Sequence, residues 1–240
     1  MPDGLDDGGL TLGVVGRGRL GGALLDVCRA EGLAVVLTAD RGSGWNASAV
    51  PDVMVDASSP EAHHDVLAYC TARHIPLVAC VSNLMDSQWA ALAELSRAVP
   101  VVRATNLSFA HHLQLSLTEF LAGLVTGAAA QPASTTVRER HPVGKAHRPS
   151  ATALALAETW AKASGRRPDD IADERAGLPV SEHELTHSWA GETLHIRHQV
   201  GSWSVPARGA LAAARWARSA PPGLVTMRDV YDELTARSTP

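Results

Sequence analysis

The chain has 240 residues, 45% of them hydrophobic and 19% charged, with a formal net charge of −4. That length can bury a sizeable core as one large domain or two small ones. The mild negative charge excludes a general nucleic-acid or anionic-membrane binder, and no stretch reaches the roughly 18 consecutive apolar residues of a membrane helix.

Residues 1–9 are acidic and glycine-rich, unlike the basic-then-apolar start of a signal peptide, so a cytoplasmic protein with a frayed N-terminal arm is expected. Leu10 to Val15 reads as a buried strand, followed by a glycine cluster at 16–22. Leu20, Ala23, Leu24, Val27 and Cys28 recur at helical spacing, so a helix runs to about Glu31 with Gly32 as its C-cap. Leu33 to Thr38 is a second strand running out at Ala39-Asp40-Arg41, and residues 42–49 read as loop. A strand at Val53–Val55, a helix over 61–73, a strand at Leu77–Val81, a helix over 86–98 and a strand at Val101-Val102 follow. Short apolar strands alternating with helices predict an α/β fold with a parallel sheet and right-handed crossovers.

The pattern changes after residue 107. A long helix is expected from Phe109 to Val125, a strand from Ser134 to Arg140, a polar loop over 141–149, and a helix from Thr152 to Ala163. Residues 164–179 read as loop, and two strands flank Gly191-Glu192 as a hairpin. Helices over 207–218 and 226–235 are placed back on the first domain. The expected domains are therefore 1–107 with 207–240, and 108–206. Cys28, Cys70 and Cys80 lie far apart in apolar stretches and read as buried hydrophobes of a reducing compartment, not as a disulfide frame or metal knuckle.

Gly16, Gly18 and Gly21 fit G-x-G-x-x-G between a strand and an amphipathic helix, which is the context a dinucleotide site requires. The first glycine allows the tight turn, the second lets backbone approach a pyrophosphate, and the third lets helix pack on strand. The helix N-terminus then presents N–H groups and a positive dipole end to the phosphates. Asp40 stands 19 residues after Gly21, where an acid holds the adenosine ribose of NAD. Arg17, Arg19 and Arg41 suit a 2′-phosphate equally well, so NADH and NADPH are both open.

A more particular signature lies at Glu139-Arg140-His141-Pro142-Val143-Gly144-Lys145, leading to Pro149-Ser150-Ala151-Thr152-Ala153-Leu154. It resembles the E-x-H-H-x-H-K…P-S-G-T-A-L stretch of the dihydrodipicolinate reductase family. Other segments agree in the same order. Gly16 to Gly21 resembles G-x-x-G-R-M-G, Asp56-Ala57-Ser58-Ser59-Pro60-Glu61 resembles D-F-T-x-P-E, Ala104-Thr105-Asn106-Leu107-Ser108 resembles A-x-N-F-S, and Met227-Arg228-Asp229-Val230 resembles M-R-D-V. The resemblance spans nearly the whole chain. It implies a Rossmann-type domain joined to an α+β substrate-binding and oligomerisation domain with a mixed open sheet, assembled as a homotetramer through that sheet.

The chemistry implied is hydride addition to a cyclic imine or unsaturated dicarboxylate. His141 matches the family's proton donor, a task suited to an imidazole whose ordinary pKa is about 6.5. Lys145 matches the residue binding a substrate carboxylate. Ser150, Ala151 and Thr152 open a helix and form a carboxylate seat, with Ser82 expected nearby. Gly16, Arg17, Gly18, Arg19, Leu20, Gly21, Asp40, Arg41, Ser58 and Asn106 are expected at the cofactor. No metal is expected.

Departures gather around the substrate. Two family histidines are Pro142 and Gly144 here, the G-T-T-G turn is Cys80-Val81-Ser82-Asn83, and the arginine of H-x-x-S-R, after His198, is Trp203. A paralogue with a related substrate and a non-catalytic dinucleotide binder therefore stand as alternatives. His183-Glu184-Leu185-Thr186-His187 matches the zinc-peptidase H-E-x-x-H, but its alternating flanks predict a strand, on which the histidines would sit ~13 Å apart and could not share a metal. His63-His64 and His111-His112 read as surface residues at helix starts. Trp89, Trp160 and Trp216 read as packing residues, and Trp189 and Trp203 as lining a pocket or an interface.

Overall fold

The computed structural model describes residues 9–177 and 180–237, so the expected N-terminal arm lies almost wholly outside the described residues. The chain divides into two compact units, residues 1–107 with 203–240, and residues 108–202. The return to the first unit begins at Trp203 rather than at 207.

In the first unit, β1 (Thr11–Val15), α1 (Arg19–Glu31), β2 (Ala34–Asp40), β3 (Gly44–Ala47), β4 (Val53–Asp56), α2 (Pro60–Arg73), β5 (Leu77–Ala79), α3 (Asp86–Leu95) and β6 (Pro100–Arg103) follow in chain order. The strands form a seven-stranded sheet in the order β11-β6-β5-β4-β1-β2-β3, in which β11 is Gly223–Thr226. Every pairing is parallel except that of β2 with β3. All four residues of β4 and all three of β5 are buried, as continuous apolar runs covered on both faces must be. Gly32 ends α1 in the left-handed conformation at φ 71°.

The second unit holds α4 (Phe109–Gly127), β7 (Ser134–His141), α5 (Ala151–Ser164), β8 (Asp170–Arg175), β9 (Ser181–Trp189) and β10 (Glu192–Val200). Its sheet runs β10-β9-β7-β8, mixed because β7 and β8 are parallel while the other pairs are antiparallel. The helices α6 (Ser204–Ala217) and α7 (Met227–Arg237) belong to the first unit.

Three strands, β3, β8 and β11, are absent from the sequence expectation, which left 42–49 and 164–179 as loop. All three are sheet edges, and none has a fully buried residue. Half-exposed edges carry polar residues and lose the apolar signal that marks central strands.

Alternation along β7 and β9 puts Thr135, Val137, Glu139 and His141, and then His183, Leu185 and His187, on the buried face of the second sheet. Strand register stacks these residues into rows. Val137, Leu185 and Ile196 form an apolar row beside Ile171. Glu139, His183 and His198 form a polar row next to it. The apolar row, Trp160 and Leu156 of α5 and Ala122 of α4 make this unit's core. Among the described residues, no helix is long and apolar enough to cross a membrane.

Candidate active site

The first unit carries a cavity of about 760 Å³ along the C-terminal ends of β1, β2 and β4, where ligands of open parallel sheets bind. Gly16 stands at φ 91°, and a Cβ there would lie 2.4 Å from the Ala57 carbonyl, while one on Gly21 would lie 1.9 Å from the Gly16 carbonyl. Among the described residues, a Cβ on Gly18 would meet no atom within 4 Å beyond its chain neighbours. The turn is therefore closed where helix meets strand and open where a ligand backbone must approach. Gly18 caps α1 with no side-chain hydrogen bond, which leaves that helix end to a phosphate group. This fits a dinucleotide.

Gly16, Arg17, Gly18, Asp40, Arg41 and Ser58 all line this cavity. Asp40 is held by its own loop: Oδ1 accepts the Gly42 and Ser43 amides at 2.7 and 2.8 Å, and Oδ2 accepts the Ser43 hydroxyl at 2.6 Å. These hydrogen bonds, the Ser43 hydroxyl first, hold its carboxyl below the usual range, with Arg17 at 3.8 Å adding to the effect. Arg41 lies 3.3 Å from the Ser59 hydroxyl and 3.5 Å from Glu61. Arg19 and Leu20 do not line the cavity; the Arg19 guanidinium lies 4.9 Å from the Trp203 ring centroid. Trp203 thus packs under an arginine of its own unit. Trp189 donates to the Ala130 carbonyl at 2.9 Å and packs against the core of the second unit.

Ser58 is fixed from below. Its amide and hydroxyl both donate to Asp56 Oδ1, and the other oxygen, Oδ2, meets His63 Nδ1 at 2.5 Å. Asp56 and His63 are fully buried, so the surface reading of His63 was wrong: it is the polar partner a buried carboxylate requires. Asn106 is half-buried after β6, and Ser82 is exposed after β5. Asn83 takes φ 61°, a left-handed geometry that asparagine tolerates without glycine.

In the second unit the polar row becomes a buried cluster. Glu139 is completely buried. The Ser150 amide donates to both its oxygens, at 3.1 and 3.0 Å, and Arg175 Nη1 donates to Oε1 at 3.2 Å. His141 Nδ1 and His183 Nε2 lie 3.5 and 3.7 Å from Oε2. The His141 and His183 rings meet edge to face with centroids 5.0 Å apart. His111 adds a third imidazole, 6.3 Å from His183 and 6.0 Å from His198. Gln114 holds the strands beneath, donating to the His183 and Ile196 carbonyls at 3.0 Å each. His111 and His112 are buried, so their surface reading is also overturned.

Burial, first of all, pushes the His141 pKa down from its ordinary 6.5; Glu139 works upward, while Arg175 and Lys145 add to the fall. Burial likewise takes His111 down to about 4, and lowers His183 and His198. Lys145 is exposed, and its charge is felt at both His141 and His183. Ser150 caps α5, its hydroxyl accepting the Ala153 amide at 3.2 Å and meeting His183 Nε2 at 3.2 Å. Its amide and hydroxyl are thus engaged within the protein. Ala151 is exposed and Thr152 half-buried at the same helix end.

Sequence reasoning passed over Glu139, Arg175, His111 and His198 as site residues. Arg175 ties the 142–149 loop to the sheet, donating from Nε to the Lys145 carbonyl at 2.9 Å and from Nη2 to the His147 carbonyl at 2.6 Å. It faces His141 across the β7–β8 pair, a strand that reads as loop. Glu139, His141 and His183 bring possible ligand atoms within 4.8 Å of one another. Arg175 and the Ser150 amide already engage that carboxylate, an arrangement that disfavours a cation. His183 and His187 do lie on a strand, where His187 meets the Thr135 hydroxyl at 3.0 Å and lies 4.4 Å from the Trp160 ring.

Comparison with known proteins agrees with this architecture. Residues 10–107 match the family described as dihydrodipicolinate reductase, N-terminus, and residues 112–231 its C-terminus. The 4-hydroxy-tetrahydrodipicolinate reductase of Thiobacillus denitrificans is 30% identical, over 89% of this chain and 94% of that protein. That of Xanthomonas campestris pv. campestris is 35% identical over 75% of this chain and 72% of its own. Among solved structures, the dipicolinate-bound dihydrodipicolinate reductase of Paenisporosarcina sp. TG-14 covers 92% of this chain and 98% of its own, at a TM-score of 0.71 and 16% identity. The polar row on the second sheet and the glycine turn on the first thus occur in a chain that belongs, over nearly its whole length, to the dihydrodipicolinate reductase family.

Proposed function

We propose that the protein is an NAD(P)H-dependent reductase of a cyclic imine dicarboxylate, the activity named for its 4-hydroxy-tetrahydrodipicolinate reductase relatives. The observation that carries the reading is His141, buried beside Glu139 on a polar row that also senses the charge of Lys145.

Bound NADH or NADPH supplies a hydride. The residues proposed to hold it are Gly16, Arg17, Gly18, Asp40, Arg41 and Ser58, with Gly21 shaping the turn. Arg17 and Arg41 share the cavity with an Asp40 carboxylate engaged by its own loop. Two guanidinium groups beside one such carboxylate suit a ribose hydroxyl and a 2′-phosphate alike, so the protein accepts both cofactors.

His141 is the proposed proton donor. Neutral in its buried state, it takes up a proton as a dianionic substrate brings negative charge beside it, and delivers that proton to the atom next to the reduced carbon. Lys145 and the α5 terminus at Ala151 and Thr152 hold the carboxylates. Ser150 acts through Glu139 and His183 as a positioning residue. The uncovered face of the second sheet carries Arg138, Arg140 and Arg197 around the buried Glu182. It is the proposed surface for homotetramer assembly.

The test mixes the protein with NADPH, or NADH, and the product of the preceding synthase reaction. Loss of the reduced-nicotinamide absorbance is expected with either cofactor. Cofactor binding without turnover overturns the substrate assignment, and absence of binding overturns the dinucleotide reading.

A further inference from the structure

The linker between β2 and β4 contains one exposed aromatic side chain among the described residues, Trp45 on β3. It is 42% exposed yet lines the dinucleotide cavity. Its register partner on β2 is Ala39, which lines the same cavity just before Asp40. The indole is backed: it stacks on Tyr69 of α2 with centroids 5.1 Å apart and planes 26° apart. Tyr69 packs against the main core of the unit, and the Arg73 guanidinium lies 4.0 Å from its ring centroid. The ring is thus supported by a built stack rather than free on a loop.

We infer that Trp45 is the platform on which the purine of the dinucleotide stacks. The inference rests on the dinucleotide reading above. A pyrophosphate at Gly16 to Gly18 and a ribose at Asp40 and Arg41 carry the attached base one step further along the cavity, to Trp45, Ala62 and Asp65. An exposed indole there, with its orientation set by Tyr69, offers a flat apolar face at no cost in ordering. Base–aromatic stacking of this kind contributes about 1–3 kcal/mol, which is roughly 5-fold to 150-fold in affinity. The β3 strand is therefore more than an edge: it delivers the base-binding wall that a featureless loop could not hold.

The test titrates wild type, Trp45→Ala and Trp45→Phe with NADPH and with ADP-ribose, which has the purine but no nicotinamide. Trp45→Ala should weaken both ligands by about tenfold or more, with circular dichroism and melting like wild type, and Trp45→Phe should stay within about threefold of wild type. ADP-ribose should quench wild-type tryptophan fluorescence, and the quench should be lost in Trp45→Phe. Wild-type affinity for ADP-ribose in Trp45→Ala overturns the inference while leaving the dinucleotide reading intact. So does an equal quench in Trp45→Phe, which decides the matter even if Trp45→Ala fails to fold. A wild type that binds neither ligand removes the dinucleotide reading itself.

Discussion

The Ser150 amide donates to both carboxylate oxygens of Glu139, at 3.1 and 3.0 Å, joining the start of α5 to the middle of the second sheet. One buried carboxylate thereby fixes the helix terminus, the Arg175 clamp and the environment of His141. Glu139→Gln removes the charge but keeps the shape. The loss of a buried, paired charge should cost about 3 kcal/mol of stability. Glu139 also pulls the His141 pKa upward, so without it the alkaline limb of kcat/KM, where the protonated acid is lost, should move to lower pH. A variant with wild-type melting and an unmoved profile contradicts this.

His141→Ala should lower turnover ~10²-fold or more while leaving NADPH affinity unchanged. Because burial holds the His141 pKa below 6.5, the protonated acid is lost as pH rises through that lowered value. The kcat/KM of wild type should therefore already be falling below pH 6.5. A free-enzyme limb centred above that value would place the proton on another group.

Gly16 and Gly18 should separate folding from binding. Gly16→Ala forces a side chain at φ 91° into the Ala57 carbonyl, and should lower stability by about 1–3 kcal/mol. Gly18→Ala meets no atom within 4 Å among the described residues beyond its chain neighbours, so its stability should change by less than about 0.5 kcal/mol. It should still weaken NADPH by about tenfold, because the new methyl occupies the approach to the phosphates. Equal affinities for Gly18→Ala and wild type would show that the turn does not contact the ligand.

Acid should unfold the second unit early. His111 and His187 are both lowered to about 4 by burial, so the unfolded chain binds protons that the folded chain refuses. Stability is complete above the ordinary value of 6.5 and falls as pH drops toward 4, by roughly 2 kcal/mol at pH 5 for each histidine. Denaturant titrations at a series of pH values check this, and His187→Gln should flatten the slope. A slope unchanged by that substitution assigns the acid lability elsewhere.

The parallel sheet was legible because β1, β2, β4 and β5 are apolar runs closed by turn residues, and the tight glycine turn because three glycines fall between a strand and a helix. The family segments placed His141, Lys145 and Ser150 together before any contact was known. Glu139 and Arg175 were not legible as site residues. Their task depends on register between β7 and a polar edge strand, and periodicity carries no information about pairing. His63, His111 and His112 were misread for a related reason: a buried histidine and a surface one look alike until the partner, such as Asp56, is found across the fold.

The alternation that stacks Glu139, His183 and His198 beside Val137, Leu185 and Ile196 means that the proposed catalytic row and the core draw on a single specification. A slip of one residue in β9 would turn His183, Leu185 and His187 outward and bring Glu182 and Glu184 into the core. No partially slipped state could keep the acid's surroundings and lose only the packing. The strands are thus closed to gradual change. New substrates would have to be reached through the 142–149 loop or through α4, whose His111 borders the row without belonging to it.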